Sequence, residues 1–170
     1  MTTQDWLYKW FRYALALLPV WWLDAYLLSR WPVWGVTPVL LPVAVAAVSV
    51  LEGVSGGAGF GLGAGLLWAG AYAGSDGSRV ILLTLLGMLG GALSQYALAQ
   101  GLLGCILCSA VTVGLVELFH VLVELFFLRS APDAMLGVAL AQLALSVCWS
   151  PVVYWIFARV YDRVGGDRLA

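Results

Sequence analysis

Charge is scarce in this chain: 170 residues carry eight Lys or Arg and nine Asp or Glu, 10% of the total, against a usual figure of about 25%. So few charges cannot furnish the water-facing shell of a soluble domain of this length. The formal net charge of −1 leaves no basic surface for nucleic acid. Histidine occurs once, at His120, so a hydrolase built on Ser94, Ser109 or Ser146 has one imidazole to draw on and no nucleophile motif to frame it. Cysteine occurs three times. Cys105, Cys108 and Cys148 all sit in apolar surroundings, which reads as small-residue packing rather than a disulfide framework, and Cys105-x-x-Cys108 lacks the strand context of a redox motif.

What the chain has is apolar length, with 63% hydrophobic residues. No Asp, Glu, Lys or Arg occurs in 31–51, 53–75, 80–116 or 134–158, intervals of 21, 23, 37 and 25 residues, and a membrane helix needs about 20. Lys9 and Arg12 ahead of Tyr13–Leu23 resemble a signal peptide, but no polar mature domain follows, so a retained first span is expected. Backbone groups in hydrocarbon must be satisfied internally, and the runs lack the two-residue alternation of membrane strands. The expected fold is all-α: a polytopic membrane helix bundle over 1–170 with about six transmembrane helices and very short loops. The spans fall near 13–30, 34–51, 56–74, 80–100, 104–128 and 134–158, the fourth and fifth divided at Gln100-Gly101 through Gly104.

The connections Trp31–Val33, Glu52–Ser55, Ser75–Arg79 and Arg129–Asp133 leave no room for an extramembrane domain. Six spans put both termini on one side with Lys9, Arg12, Arg159, Arg163 and Arg168, against Arg30, Arg79 and Arg129 opposite, and this five-to-three bias favours cytoplasmic termini. Trp6, Trp10 and Trp155 then mark the inner interface, and Trp22, Trp31, Trp34 and Trp68 the outer one. Pro19, Pro38, Pro42 and Pro151 fall inside spans, where bends are expected. Asp24 and Glu52 lie near span ends and are expected to reach the interface.

Glycine is concentrated in the third span. Gly57, Gly61 and Gly65 recur every four residues after Gly53, Gly59 and Gly63 form an adjacent track, and Gly87-x-x-x-Gly91 gives the fourth span a shorter match. Missing side chains let backbones approach, so these are candidate positions for helix packing within the bundle or for a partner interface. Gly59-x-Gly61-x-Gly63 lacks the strand, lysine and acidic residue of a nucleotide motif. Glu117 lies mid-way along the fifth span, with His120 and Glu124 on the same helical face. This stripe suits an intramembrane polar contact, a membrane partner, or an ion path. As a metal site, Glu117-x-x-His120 would require a second such pair from facing helices. No catalytic, cofactor or metal constellation is expected, and the protein reads as a non-enzyme.

The order of features resembles the bacterial rod shape-determining protein MreD family. The likeness rests on Thr37-Pro38-Val39-Leu40-Leu41 in the second span, the glycine-rich run Gly57–Leu67, and the turn Ala73-Gly74-Ser75-Asp76-Gly77 leading into Leu85–Gly91. It ends with the proline-containing last span Trp149–Ile156. It covers roughly 13–160. One departure is Trp68, which follows Gly65-Leu66-Leu67 where the family often carries an acidic residue. The resemblance implies a non-enzymatic component of the cell-elongation machinery in the bacterial cytoplasmic membrane. Its partner would be an MreC-like single-span protein and, through it, the MreB filament, the RodA glycosyltransferase and a class B penicillin-binding protein. The alternatives are the substrate-binding membrane subunit of an energy-coupling-factor vitamin transporter, with Asp24, Asp76, Arg79, Glu124 and Arg129 supplying polarity, or a small proton-coupled transporter using Glu117.

Overall fold

The computed structural model describes residues 3–28, 30, 32, 35–71, 77–96, 101–127 and 132–166. Five helical runs account for nearly all of them: α1 (Thr3–Trp22), which continues as a π-helical turn over Leu23–Leu28, α2 (Leu40–Ala71), α3 (Ser78–Tyr96), α4 (Leu102–Phe127) and α5 (Pro132–Gly166). No strand occurs among the described residues. Four runs, within Leu40–Ala71, Ser78–Tyr96, Leu102–Phe126 and Met135–Val164, are long and apolar enough to cross a membrane. By length and composition the helices are compatible with a multi-pass membrane protein. Interfacial residues Trp31 and Trp34, turn residues 73–76, Gln100, Arg129 and Arg168 lie outside the described residues, as does the side chain of Trp6.

The run count differs from the expected six because the second and third expected spans are joined without a loop. The connection expected at Glu52–Ser55 shrinks to one residue, Gly53, at φ 78° and ψ −163°, a conformation open essentially to glycine alone. There the chain turns back on itself. Val39 and Trp68 line one cavity, yet on a straight helix they would stand about 44 Å apart. A Cβ at Gly57 would lie 2.6 Å from Ser49 Oγ, another contact impossible along a straight helix. α2 is thus a helical hairpin with limbs 40–52 and 54–71. Three end positions also move: α1 starts at Thr3 rather than near 13, the helix of the second expected span starts at Leu40 rather than near 34, and α5 continues to Gly166 rather than stopping near 158.

The first limb forms the centre. Residues 40–50 are buried without exception, the pattern of a helix apolar all round, and α2 touches α1, α3, α4 and α5. At the bend, Tyr13 is fully buried, stacked on Phe157 at 6.2 Å between ring centroids and edge-on to Phe60 at 6.3 Å. Such ring pairs contribute about 0.5–1.5 kcal/mol each beyond their burial. Glu52, expected near a span end, is not left to solvent. Its side chain is buried against Lys9, with which it forms an ion pair, and its Oε1 accepts a 2.7 Å hydrogen bond from the Tyr13 hydroxyl.

Asp24 is likewise internal. It is 6% exposed, and its Oδ1 accepts from the Leu40 backbone N–H at 2.9 Å. That bond caps the first limb from another element, satisfying a donor the helix start leaves orphaned. The adjacent Val39 N–H donates to Ser146 Oγ of α5 at 2.9 Å. Pro38 precedes α2 and Pro42 lies in its first turn, where no intrahelical donor is lost, so neither bends a helix interior. Pro19 and Pro151 are inside α1 and α5, and the π-helical turn follows Pro19. Cys105 and Cys108 are buried free thiols, with Cys105 Sγ 3.9 Å from Ser109 Oγ.

The outward surface is apolar. Phe11, Leu15 and Leu18 on α1, Ile81, Leu85 and Leu89 on α3, and Leu103, Leu107 and Val111 on α4 are exposed at helical spacing. On a protein in water, apolar area this extensive would be an association surface, whereas lipid is a matched solvent for it. Trp22 and Trp155 are exposed, but Trp68, expected at the outer interface, is buried, and Trp10 packs against the core. Both rings serve the interior.

Candidate functional site

Two arrangements carry functional potential, and both follow from the hairpin. The first is the contact between the second limb of α2 and α3. A Cβ on Gly87 would lie 2.2 Å from the Gly57 carbonyl oxygen, and one on Gly57 would lie 2.3 Å from that of Gly87. At Gly61 the obstacle is Leu83 O at 2.4 Å, at Gly65 Val80 Cα at 2.7 Å, and at Gly91 the Gly53 carbonyl carbon at 2.5 Å. These five glycines place backbone directly on backbone, the close approach that small residues permit in bilayers. The adjacent track behaves differently. Ser55 and Gly59 are exposed, a Cβ at Gly63 would meet nothing within 4 Å, and one at Gly59 would touch only the Trp10 ring at 3.8 Å.

The second arrangement is a cavity of about 440 Å³ at the end of the bundle opposite the Gly53 bend. The start of α2, the end of its second limb, the start of α3, the second half of α4 and the first third of α5 converge there. Ser78, Arg79, Glu117, His120 and Gln142 supply polar groups, while Val39, Leu82, Val116, Phe119 and Val123 supply apolar wall. Trp68 closes one side, with the Arg79 guanidinium carbon 5.2 Å from its ring centroid. That distance is within cation–π range.

His120 links two charged groups. Its Nε2 is 2.9 Å from Glu124 Oε1 one turn later, and its Nδ1 is 3.5 Å from an Arg79 terminal nitrogen. A neutral ring protonated on Nε2 fits both contacts: Nε2–H donates to the carboxylate, and Nδ1 accepts from the guanidinium. Glu124 thereby orients the histidine. Glu117, one turn earlier, faces the cavity within electrostatic reach of His120 and Arg79. Among the described residues it makes no hydrogen bond or ion pair.

Sequence spacing gave Glu117, His120 and Glu124 a common face. The structure places Glu117 and His120 on the cavity wall and Glu124 behind His120. Arg79, in the first turn of α3, faces this cavity, and Gln142 and Trp68 join it. Gln142 had a readable signal, being the lone amide in the charge-free interval 134–158. Trp68 had none beyond its departure from the expected acidic residue. Among the described residues no group of three or more His, Cys, Asp or Glu is placed to hold a metal ion. Comparison of the chain with protein families, with characterised proteins and with solved structures finds no match.

Proposed function

We propose that this chain is a non-enzymatic scaffold of the MreD type in the bacterial cytoplasmic membrane, acting in cell elongation and in the regulation of peptidoglycan synthesis. The observation that carries the reading is the division of labour between the two glycine tracks. Gly57, Gly61 and Gly65 are consumed by packing on α3, whereas Ser55, Gly59 and Gly63 leave a second small-residue track open on the exterior. An open track of this kind suits the transmembrane helix of a single-span partner, as an MreC-like protein would supply. The soft sequence likeness over 13–160 supports the same reading.

Affinity purification from native bacterial membranes tests it. A single-span, coiled-coil protein is expected to co-purify with the wild type. Gly63→Leu is expected to lose that partner while remaining monodisperse and folded. Recovery of an ATP-driven transporter module instead would replace the scaffold by the transporter-subunit reading.

The six-span topology belongs to the same proposal. It counts α1 with its π-helical continuation and each limb of α2 as spans beside α3, α4 and α5. Reporter fusions at Trp6 and Asp167 are expected to report the cytoplasm and a fusion at Asp76 the outside. Opposite locations for the two termini would reject an even number of spans.

A further inference from the structure

We propose that the cavity at the end opposite Gly53 is a binding site for a zwitterion with an apolar body, its anionic oxygens held by Arg79 and its ammonium by Glu117. The proposal goes beyond the scaffold reading and does not use it.

The volume of about 440 Å³ lies in the range of small-molecule sites, about 300–1,000 Å³. The charges matter more than the size. Arg79 and Glu117 both face the cavity, yet they form no ion pair among the described residues, and the guanidinium lies instead beside Trp68 and His120. Trp68 holds the guanidinium by a cation–π contact, its ring centroid 5.2 Å from the guanidinium carbon. One terminal nitrogen is directed toward His120, itself fixed by Glu124, and other N–H groups of the five-donor fork remain for an anion.

Two opposite charges in a partly apolar cavity ordinarily close on each other, since each unpaired ion is costly. Held apart, they match a molecule that brings one charge of each sign. Gln142 and Ser78 add neutral polar groups to the lining, and Leu82, Val116 and Phe119 offer the apolar body a wall. The same chemistry occurs in a free amphipathic amino acid and in a phosphatidylethanolamine headgroup, so both sources are tested.

The experiment uses the full chain purified in detergent and in nanodiscs, followed by thermal unfolding, since a ligand that binds the folded state raises the midpoint in proportion to its affinity. L-Phenylalanine is the free probe. N-Acetyl-L-phenylalanine lacks the ammonium and L-phenylalaninamide lacks the carboxylate. In the lipid arm, dioleoyl phosphatidylethanolamine is compared with the phosphatidylcholine, whose quaternary nitrogen carries no N–H, and with the phosphatidylglycerol, which is anionic only.

L-Phenylalanine, or phosphatidylethanolamine among the lipids, is expected to raise the midpoint. Each single-charge probe should need about tenfold higher concentration for the same rise. Arg79→Gln and Glu117→Gln should each weaken the effective zwitterion by about tenfold while still unfolding cooperatively. A rise with phosphatidylethanolamine alone assigns the zwitterion to a lipid headgroup, and a rise with L-phenylalanine alone assigns it to a free solute. Protection by N-acetyl-L-phenylalanine equal to that by L-phenylalanine would overturn the proposal, because Glu117 would be idle. So would the absence of any rise with the free probes together with equal midpoints in all three lipids, a result that needs no variant to fold. Partner recovery, measured on the same preparations, separates failure of this proposal from failure of the scaffold reading.

Discussion

Gly61→Ala is expected to lower the thermal midpoint of the detergent-purified protein, and Gly63→Ala, two residues away on the same helix, is expected to leave it unchanged or raise it slightly. The two substitutions add the same methyl group to the same limb of α2. Intrinsic propensity favours both, because alanine is a better helix former than glycine by roughly 0.8–1 kcal/mol in water. The surroundings decide the difference. At Gly61 the methyl would lie 2.4 Å from the Leu83 carbonyl oxygen and 3.0 Å from its carbon, while at Gly63 nothing stands within 4 Å. Backbone cannot swing aside as a side-chain tip can, so α3 must move bodily away from α2.

Overpacking of a well-packed interior costs about 1–3 kcal/mol. The upper part of that range is expected here, because separation of α2 from α3 also loosens the neighbouring Gly57–Gly87 and Gly65–Val80 contacts. In a bilayer little hydrophobic driving force remains to restore helix contact, since lipid tails are as apolar as leucine. Gly61→Leu should therefore abolish recovery of folded protein, whereas Gly63→Leu should preserve it and lose only the proposed partner. Equal midpoints for Gly61→Ala and the wild type would mean that the two backbones are not in contact at that level.

The apolar helices were legible in the sequence because long charge-free intervals run through them, although α1 and α5 continue past the charged residues expected to bound them, and one four-residue glycine period indicated where backbones meet. The join of two expected spans was not, because reversal at a single residue depends on one φ angle. The short polar segment Glu52–Ser55 reads as a loop, yet Val54 and Ser55 are already helical. Glu52 read as an interface residue because its partners, Lys9 and Tyr13, lie 43 and 39 positions away. Asp24 was obscure for a similar reason: an N-cap ordinarily sits beside the helix it caps, and this one acts across 16 positions. The cavity needed contributions from α2, α3, α4 and α5 together. Spacing along one helix supplied Glu117, His120 and Glu124, but it carried no information on which face of α3 would bring Arg79 to meet them.

Lys9→Met and Glu52→Met are each expected to be strongly destabilising, and the double variant Lys9→Met/Glu52→Met is expected to recover most of the loss. The pair stands at the Gly53 bend with side chains only 12% and 9% exposed. Removal of one member leaves the other charge buried without its counter-ion, a loss of about 3–5 kcal/mol in measured buried pairs. Tyr13 still donates to the carboxylate in Lys9→Met, so that variant should be the milder of the two. Removal of both charges takes away two desolvation costs along with the attraction, and replacement of a buried pair by apolar groups of similar volume is often neutral. Glu52 is the last residue before the positive-φ glycine, so its bonds to Lys9 and Tyr13 tie the foot of the hairpin to α1. A double-mutant cycle on thermal midpoints measures the coupling directly. If the single losses simply add, Lys9 and Glu52 act independently, and the bend is held by the Gly53 backbone and the Tyr13–Phe60–Phe157 rings alone. A double variant near wild type, with both single variants depressed, would assign the ion pair to the geometry of the bend.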